Sequence, residues 1–160
     1  MIPYDRGDLV SAIHERGEIL SESYLPVAMD ISADGNTAFI LDRISGNSRN
    51  YRLISIDLTG VADTATNLTG TVLGTLTNVY NYVTTVLAVD ATHVAVFAGT
   101  QSYLGTISGS SVTFGSNISQ SNSVNDAKLN SDGDIVTMNN DGTTIRISTL
   151  VPSTLVPRGA

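Results

Sequence analysis

The sequence predicts a mainly β fold assembled from recurring antiparallel hairpins, and three features of its 160 residues support this. Apolar and polar residues alternate with a period of two from Val27 onward, which is typical of strands that bury one face. Asp-Gly pairs at Asp34-Gly35 and Asp132-Gly133 separate such runs, and glycine accepts the positive φ of tight hairpin turns. The pattern also recurs along the chain, so we expect internal repeats.

The repeats have a regular length. The turns at Asp34 and Asp132 lie 98 residues apart with one copy between them, which gives a repeat of about 49 residues. One four-stranded propeller blade spans roughly 40–50 residues. Residues 25–150 are therefore predicted to form three propeller-like, four-stranded antiparallel blades, a partial propeller. Strands are expected at 27–31, 37–41, 51–58 and 72–76 in the first copy, at 85–90, 93–97, 103–107 and 111–114 in the second, and at 125–129, 134–138 and 143–148 in the third.

The first copy also carries a family resemblance. Its segments Asp30–Ile40 and Ile54–Leu58 are similar to the blade repeat of YVTN- and TolB-like β-propellers. The second copy lacks the Asp-Gly turn and the third lacks a fourth strand, so the similarity weakens along the chain. The resemblance implies an architecture and no particular activity, because these repeats occur in proteins of many functions.

Three blades are fewer than the four to eight that usually close a propeller. An open row of blades exposes apolar faces and unpaired strand edges, which promote association. We therefore expect self-association, with two chains combining as three plus three blades around a two-fold axis and Glu18–Tyr24 supplying the strand that the third blade lacks. The alternative is a single β-sandwich or barrel whose repeats are only hairpins.

The N-terminal residues 1–24 are richer in charge than the repeats and predict a short helix. Asp8 is placed to cap this helix, Leu9 and Ile13 fall on one face of it, and Gly17 supplies the left-handed residue that ends it. A helix of this length is not stable alone, so its apolar face is expected to pack against other residues.

The same segment resembles the C-terminal end of HflX-type ribosome-associated GTPases, in residues 2–10 and 13–22 and in Tyr24. The resemblance implies a strand, a helix and a strand taken from a small α/β domain. It does not imply GTPase activity, because the chain has neither a GxxxxGK[ST] phosphate-binding loop nor an Asn-Lys-x-Asp motif. The interpretation is a chimera that joins a fragment of one protein to another.

The C-terminal residues Leu155–Ala160 resemble the recognition sequence of thrombin, which expression vectors place between a protein and its tag. Such segments are excluded from fold predictions. Residues 151–160 are therefore expected to form a tail outside the β-repeats.

Composition excludes several classes of function. The net charge of −7 would repel nucleic acid, and the absence of cysteine excludes disulfides, thiol catalysis and zinc-thiolate sites. No apolar run approaches the roughly 20 residues of a membrane-spanning helix, and no signal-peptide pattern is present. We expect a soluble protein with no nucleic-acid or membrane partner. Its compartment stays open between secreted, periplasmic and virion-associated.

No residue pattern predicts catalysis, a metal or a cofactor. The two histidines, His14 and His93, lack metal-ligand spacing. Oxygen ligands suited to calcium gather in the third repeat, but without the spacing of an EF-hand, and turn chemistry explains them. No spacing selects two strand-end aspartates as a glycosidase pair, and no nucleophile motif occurs. The calcium candidates are Asn130, Asp132, Asp134, Asn139 and Asp141, and the strand-end acids are Asp30, Asp42, Asp57 and Asp90.

Tyr80 and Tyr82 are the candidate ligand-binding residues. In an extended segment the two rings lie on one face, where they could stack on sugars or anchor a protein interface. The alternative is that they fill the gap between two blades.

These observations favour a structural, self-assembling β-repeat module without catalytic function, of recombinant or chimeric origin. The alternative is a non-enzymatic binding module that recognises a glycan or a protein, from a surface, periplasmic or virion protein. A hydrolase is a third class and would require activity from one of the strand-end aspartates.

Overall fold

The structure, a computed structural model, describes residues 24–44, 49–61, 68–140 and 142–158. These residues form eleven strands and no helix, so this part of the chain contains no helix that could cross a membrane. The predicted mainly β, antiparallel fold is confirmed. The helix predicted at Asp8–Gly17 lies outside the described residues. The strands are β1 (Tyr24–Ile31), β2 (Thr37–Ile44), β3 (Tyr51–Asp57), β4 (Gly70–Leu76), β5 (Thr85–Ala88), β6 (His93–Ser108), β7 (Ser111–Phe114), β8 (Ile118–Leu129), β9 (Ile135–Asn140), β10 (Ile145–Val151) and β11 (Val156–Pro157).

Sheet I is a four-stranded antiparallel meander in the order β1-β2-β3-β4. It contains all four strands predicted for the first repeat, with small shifts at their ends. In the β1–β2 turn, Gly35 has a φ of 75° and its amide donates to the Ser32 carbonyl at 2.8 Å. The Asp34 carboxylate accepts from the Ser32 hydroxyl at 2.6 Å and from the Asn36 amide at 3.0 Å. The Asp-Gly pair therefore closes this hairpin, as the sequence predicts.

Sheet II holds seven strands, in the order β11-β10-β9-β8-β6-β5 with β7 paired to β6. The second and third repeats share this sheet instead of forming two separate sheets, because β6 and β8 pair with each other. The predicted strands 93–97 and 103–107 are one strand of 16 residues, which pairs with β5, then β8, then β7 along its length. The register shifts next to Gly99, whose φ of 59° lets the strand bend.

The β5–β6 hairpin lies between two apolar cores, because successive residues of a strand point to opposite faces. Val86, Val94 and Val96 belong to the first core, together with residues of sheet I. Leu87 and Phe97 belong to the second core, together with residues of β8, β9 and β10 and of the β10–β11 turn. The buried partners from sheet I are Phe39, Leu41, Tyr51, Leu53, Leu73 and Leu76, and those of the second core are Val124, Ala127, Ile135, Leu150 and Leu155.

The segment that resembles the thrombin sequence packs against the third repeat. Leu155 is fully buried in the second core, and the Arg158 amide donates to the Thr149 carbonyl at 2.8 Å. The short strand β11 therefore pairs with the edge of sheet II at β10, and residues 18–23 of the segment predicted to complete the third repeat lie outside the described residues. Tyr24 instead begins β1, opposite Ile44 of β2.

A buried amide holds this C-terminal segment in place. The Gln120 Nε2 donates to the Leu155 carbonyl at 2.9 Å and to the Ser102 hydroxyl at 2.7 Å. The Ser102 hydroxyl in turn donates to the Ile118 carbonyl at 3.0 Å. The whole group lies inside the protein, so its members have no access to water as an alternative partner.

Replacing Gln120 with alanine should destabilise the fold, because it leaves the Leu155 carbonyl and the Ser102 hydroxyl without their donor. We expect the free energy of unfolding to fall by about 2–3 kcal/mol, measured by urea denaturation. The neighbouring exposed residue gives the control, and Ser121→Ala should change it by less than about 0.5 kcal/mol. Equal effects of the two variants would contradict the anchoring role of Gln120.

Candidate functional site

The loop of residues 77–84 joins β4 of sheet I to β5 of sheet II and carries the candidate tyrosines. Its residues alternate between the core and the surface. Val79 and Val83 are buried in the first core, whereas the Tyr80 and Tyr82 side chains are 70% and 67% exposed. The alternative prediction, that the two rings fill a gap between blades, is therefore wrong for the described residues.

Hydrogen bonds to Arg49, just before β3, and to Tyr51 of β3 hold this loop at Val79 and Val83. The Val79 amide donates to the Arg49 carbonyl at 3.0 Å. The Val83 amide donates to the hydroxyl oxygen of Tyr51 at 3.3 Å, inside the core. Since the valine side chains at these two positions are also buried, the backbone cannot turn the tyrosine rings inward without breaking the core.

Contacts with β6 fix the middle of the loop. The Tyr80 amide donates to the Gln101 Oε1 at 2.8 Å. The Asn81 side chain lies against Gly99, where an added Cβ would meet the Asn81 Nδ2 at 2.7 Å. The backbone bends at Tyr80 and Asn81, so the loop is not the extended segment in which both rings would lie on one face. The bend places Asn81 on the sheet and leaves the tyrosines on either side of it exposed.

A guanidinium group lies over one of the two rings. The Arg49 Cζ is 5.5 Å from the centroid of the Tyr80 ring, within the range of a cation–π interaction. Arg49, Asn81, Gln101 and the two tyrosines form what we call the tyrosine surface. The sequence indicates only the tyrosines, because Arg49 and Gln101 come from distant segments and no local pattern marks them.

Asp30, the first of the strand-end acids, has a structural role. It is buried, and its Oδ2 accepts from the Ala88 amide of β5 at 2.9 Å. Burial raises the pKa of Asp30 above the ordinary value of 3.8, although the Ala88 hydrogen bond and the charge of Lys128 oppose this shift. The carboxylate therefore links β1 of sheet I to β5 of sheet II.

Two other strand-end acids are also held by local partners. The buried Asp42 forms an ion pair with Arg52 of the neighbouring strand, with 2.7 Å between Oδ2 and Nη2. The exposed Asp57 accepts from the Thr59 amide at 2.8 Å, and this hydrogen bond lowers the pKa of Asp57. Both carboxylates stabilise strands or turns.

Asp90 is the fourth strand-end acid and lies beside a histidine. Its Oδ1 accepts from the Thr92 amide at 2.7 Å, and its Oδ2 lies 3.0 Å from the His93 Nδ1. Desolvation raises the pKa of Asp90, but the hydrogen bonds from Thr92 and His93 outweigh it and lower the pKa overall. His14 lies outside the described residues.

The calcium candidates of the third repeat have separate roles. Asn130 closes the β8–β9 turn, because its Oδ1 accepts from the Asp132 and Asp134 amides, both at 2.9 Å. Asp134 pairs with the Arg158 guanidinium, and Asp141 lies outside the described residues. Across the described ranges, no three His, Cys, Asp or Glu side chains come together as metal ligands.

Asn139, the remaining oxygen candidate, is buried on the inner face of β9. Its Nδ2 donates to the Ser148 hydroxyl at 2.9 Å, and its Oδ1 has no hydrogen-bond partner among the described residues. The amide therefore pairs β9 with β10 through its nitrogen alone.

No protein-family model matches the chain, and no curated protein is significantly similar to it. The resemblances to HflX-type GTPases and to propeller blade repeats therefore stay predictions. The binding role of the tyrosine surface is likewise a prediction, which rests on geometry.

The pH dependence of stability should reveal the cost of burying the Asp30 charge. Because its folded pKa is raised, Asp30 favours the folded state below about pH 3.8, and this contribution is lost as the pH rises through the folded pKa. The variant Asp30→Asn keeps an acceptor for the Ala88 amide and has no charge to desolvate. We expect its stability to rise relative to the wild type as the pH rises through the folded pKa of Asp30, measured by urea denaturation at a series of pH values.

Asp57→Asn is the control of opposite sign. Since the folded pKa of Asp57 is lowered, its contribution is present above the ordinary pKa of 3.8 and lost as the pH falls through the folded pKa. The stability of this variant should therefore decline relative to the wild type as the pH rises. A difference between Asp30→Asn and the wild type that does not vary with pH would show that burial of the Asp30 charge costs nothing.

Proposed function

We propose that the chain is a structural, self-assembling β-repeat module without catalytic activity, and that its partner is a second copy of itself. The observation that carries the proposal is that the layered fold ends in an apolar face on both sides. Between these faces, each repeat packs against the next one in the chain. The end face of the third repeat is exposed, whereas that of the first repeat is partly covered by a third apolar cluster of Ala38, Ile56 and Leu58.

The finer architecture that we propose is three blade-like repeats of a partial propeller. Two cores on either side of the β5–β6 hairpin support it, because a two-layer sandwich would need one. The first strands of the three repeats are also neighbours, since β1 lies beside β5 and β5 beside β8. Asp30, Ala88 and Lys128 lie at or next to the ends of these three strands, and Asp30 interacts with the other two.

The end face of the third repeat is exposed. It is the side of β9, β10 and β11 that points away from the second core. Ile145 and Ile147 on β10 are 70% and 67% exposed, and Ile147 lies directly opposite the exposed Met138 of β9. Val156 of β11 continues the same face beside Val151. Four exposed apolar side chains in one patch are typical of an interaction surface.

The end face of the first repeat is apolar as well. Cross-strand partners place Met29, Ile40, Ile54 and Val72 in one row across sheet I, on the side opposite the first core. The first three are half-buried, with Ile40 packed against the third apolar cluster, and Val72 on the edge strand is 46% exposed. This row is the counterpart of the face by which the second repeat packs against the first, which carries Val94 and Val96.

A second copy covers both faces at once. Within the chain, the first repeat packs on the second, and the second packs on the third. If the third repeat of one copy packs on the first repeat of its partner by the same rule, a two-fold axis buries both end faces and closes a ring of six repeats. Six lies within the four to eight blades of closed propellers.

Charge does not oppose this contact. The end face of the third repeat carries Asp126 and Lys128, which have opposite signs. The end face of the first repeat carries Asp42 and Arg52, which already form an ion pair. Each face is therefore close to neutral, although the chain carries a net charge of −7.

A lysine on either end face should dissociate the assembly. We expect the wild type to sediment at twice the chain mass of 16.8 kDa, and Ile147→Lys and Val72→Lys each to sediment at the mass of one chain. Each of the two contacts in the proposed ring joins the end face of a third repeat to the end face of a first repeat. A lysine on either face therefore buries a charge in both contacts. Sedimentation equilibrium at several concentrations measures this. Thr113→Lys, on exposed β7, is the matched control and should stay dimeric.

The two variants also separate alternative modes of pairing. If the third repeats of two copies pack on each other, Ile147→Lys is monomeric and Val72→Lys stays dimeric. A wild type that sediments as a single chain at all concentrations would overturn the proposal.

A binding module is the second candidate function. The specific observation in its favour is the pair of exposed rings at Tyr80 and Tyr82, which are held outward by a loop anchored in the core.

We also propose a chimeric origin for residues 1–24, supported by their resemblance to HflX-type GTPases.

A further inference from the structure

We propose that the tyrosine surface is a binding site for a neutral carbohydrate, with pyranose rings stacking on Tyr80 and Tyr82. The site lies on the loop between β4 and β5 and not on either end face, so it does not depend on self-assembly. Its evidence is the exposure of the two rings, the rigidity of the loop and the chemistry of the surrounding side chains.

The loop holds the Tyr80 and Tyr82 rings in place before any ligand binds. A flexible loop loses affinity because binding must first fix it, and this one is fixed in the free protein. Val79 and Val83 are buried, and three amides, of Val79, Tyr80 and Val83, donate to partners on neighbouring elements. Tyr80 and Tyr82 therefore offer large aromatic area without a further cost in backbone entropy.

The chemistry around the rings suits a sugar better than a protein. The exposed or half-buried neighbours carry hydroxyl, amide and guanidinium groups, and both aliphatic residues of the loop are buried. The core of a protein interface needs apolar side chains around its aromatic anchors. A pyranose presents a C–H face that packs on an aromatic ring and a rim of hydroxyls that pairs with planar amides. The polar neighbours are Arg49, Thr77, Asn78, Asn81, Thr84 and Gln101.

Hydrogen-bonding capacity remains at the centre of this surface. The Gln101 Oε1 accepts from the Tyr80 amide, so the two protons on its Nε2 are available to a ligand. The Asn81 side chain lies against Gly99, next to both rings in the sequence. These amides are therefore placed to donate to sugar hydroxyls beside the stacked rings.

The charge of the protein selects a neutral ligand. A net charge of −7 repels acidic polysaccharides and nucleic acid, and the tyrosine surface contains a single cation, Arg49. Its guanidinium lies over the Tyr80 ring, which it helps to orient. We therefore expect neutral hexose polymers to bind more tightly than uronate-containing ones.

The test is titration of the full chain with neutral hexasaccharides of glucose, mannose and N-acetylglucosamine, followed by calorimetry and by the NMR signals of the tyrosine rings. We expect at least one hexasaccharide to bind with a Kd of about 1 mM or lower. Tyr80→Ala and Tyr82→Ala should each weaken it by about tenfold, whereas Tyr82→Phe keeps the stacking ring and should change it by less than about threefold. Ser131→Ala, on the exposed β8–β9 turn and away from this loop, is the control and should bind like the wild type.

The outcomes distinguish this site from the end faces. Ile147→Lys should bind the saccharide as the wild type does, whether or not it changes the mass in solution. The proposal is overturned if no hexasaccharide binds at about 10 mM, if the alanine variants bind as well as the wild type, or if a uronate polymer binds more tightly than its neutral counterpart. Unchanged urea denaturation of the tyrosine variants shows that a loss of binding is not a loss of folding.

Discussion

The fold depends on one constraint, which is that the β5–β6 hairpin is apolar on both faces. Val94 and Val96 point to one side, and Ala95 and Phe97 point to the other, and all four are fully buried. A hairpin of this kind is not stable with either face in water, because each face would expose several apolar side chains. Sheet I must therefore cover one side and the strands from β8 onward the other. The order of the layers follows from the composition of this one hairpin.

The local pattern of the sequence predicts the first repeat well and the later ones less well. In sheet I, the alternation of apolar and polar residues and the Asp34-Gly35 turn predict the same strands, so neighbouring residues alone are enough to locate them. In sheet II, the bend at Gly99 keeps β6 continuous where the pattern suggests two strands, since β6 changes partners there. Leu155 lies in a segment that resembles a vector sequence, which excludes it from the predicted core. Its burial depends on Gln120, which is 35 residues away, and local patterns carry no information about such a contact.

In the candidate site, too, the sequence predicts some features and not those that depend on distant residues. An aromatic pair in a polar stretch is visible in the sequence, and the structure places both rings at the surface. The residues that hold the loop, Gln101 and Arg49, are 21 and 31 positions from Tyr80 and have no pattern of their own. Val79 and Val83 could have been found, because buried anchors alternating with exposed rings are a period-two signal.

The two proposals are compatible in one assembly, and each strengthens the other. Loop 77–84 connects the last strand of sheet I to the first strand of sheet II, so in the proposed ring such loops would lie on one rim. A two-fold axis through the ring would place both copies of the tyrosine surface on that same rim. A long saccharide could then contact both surfaces, and the second contact would form at the high effective concentration set by the first. Weak stacking on two rings per copy would thereby give firm attachment to a polymer, which a single open chain could not achieve.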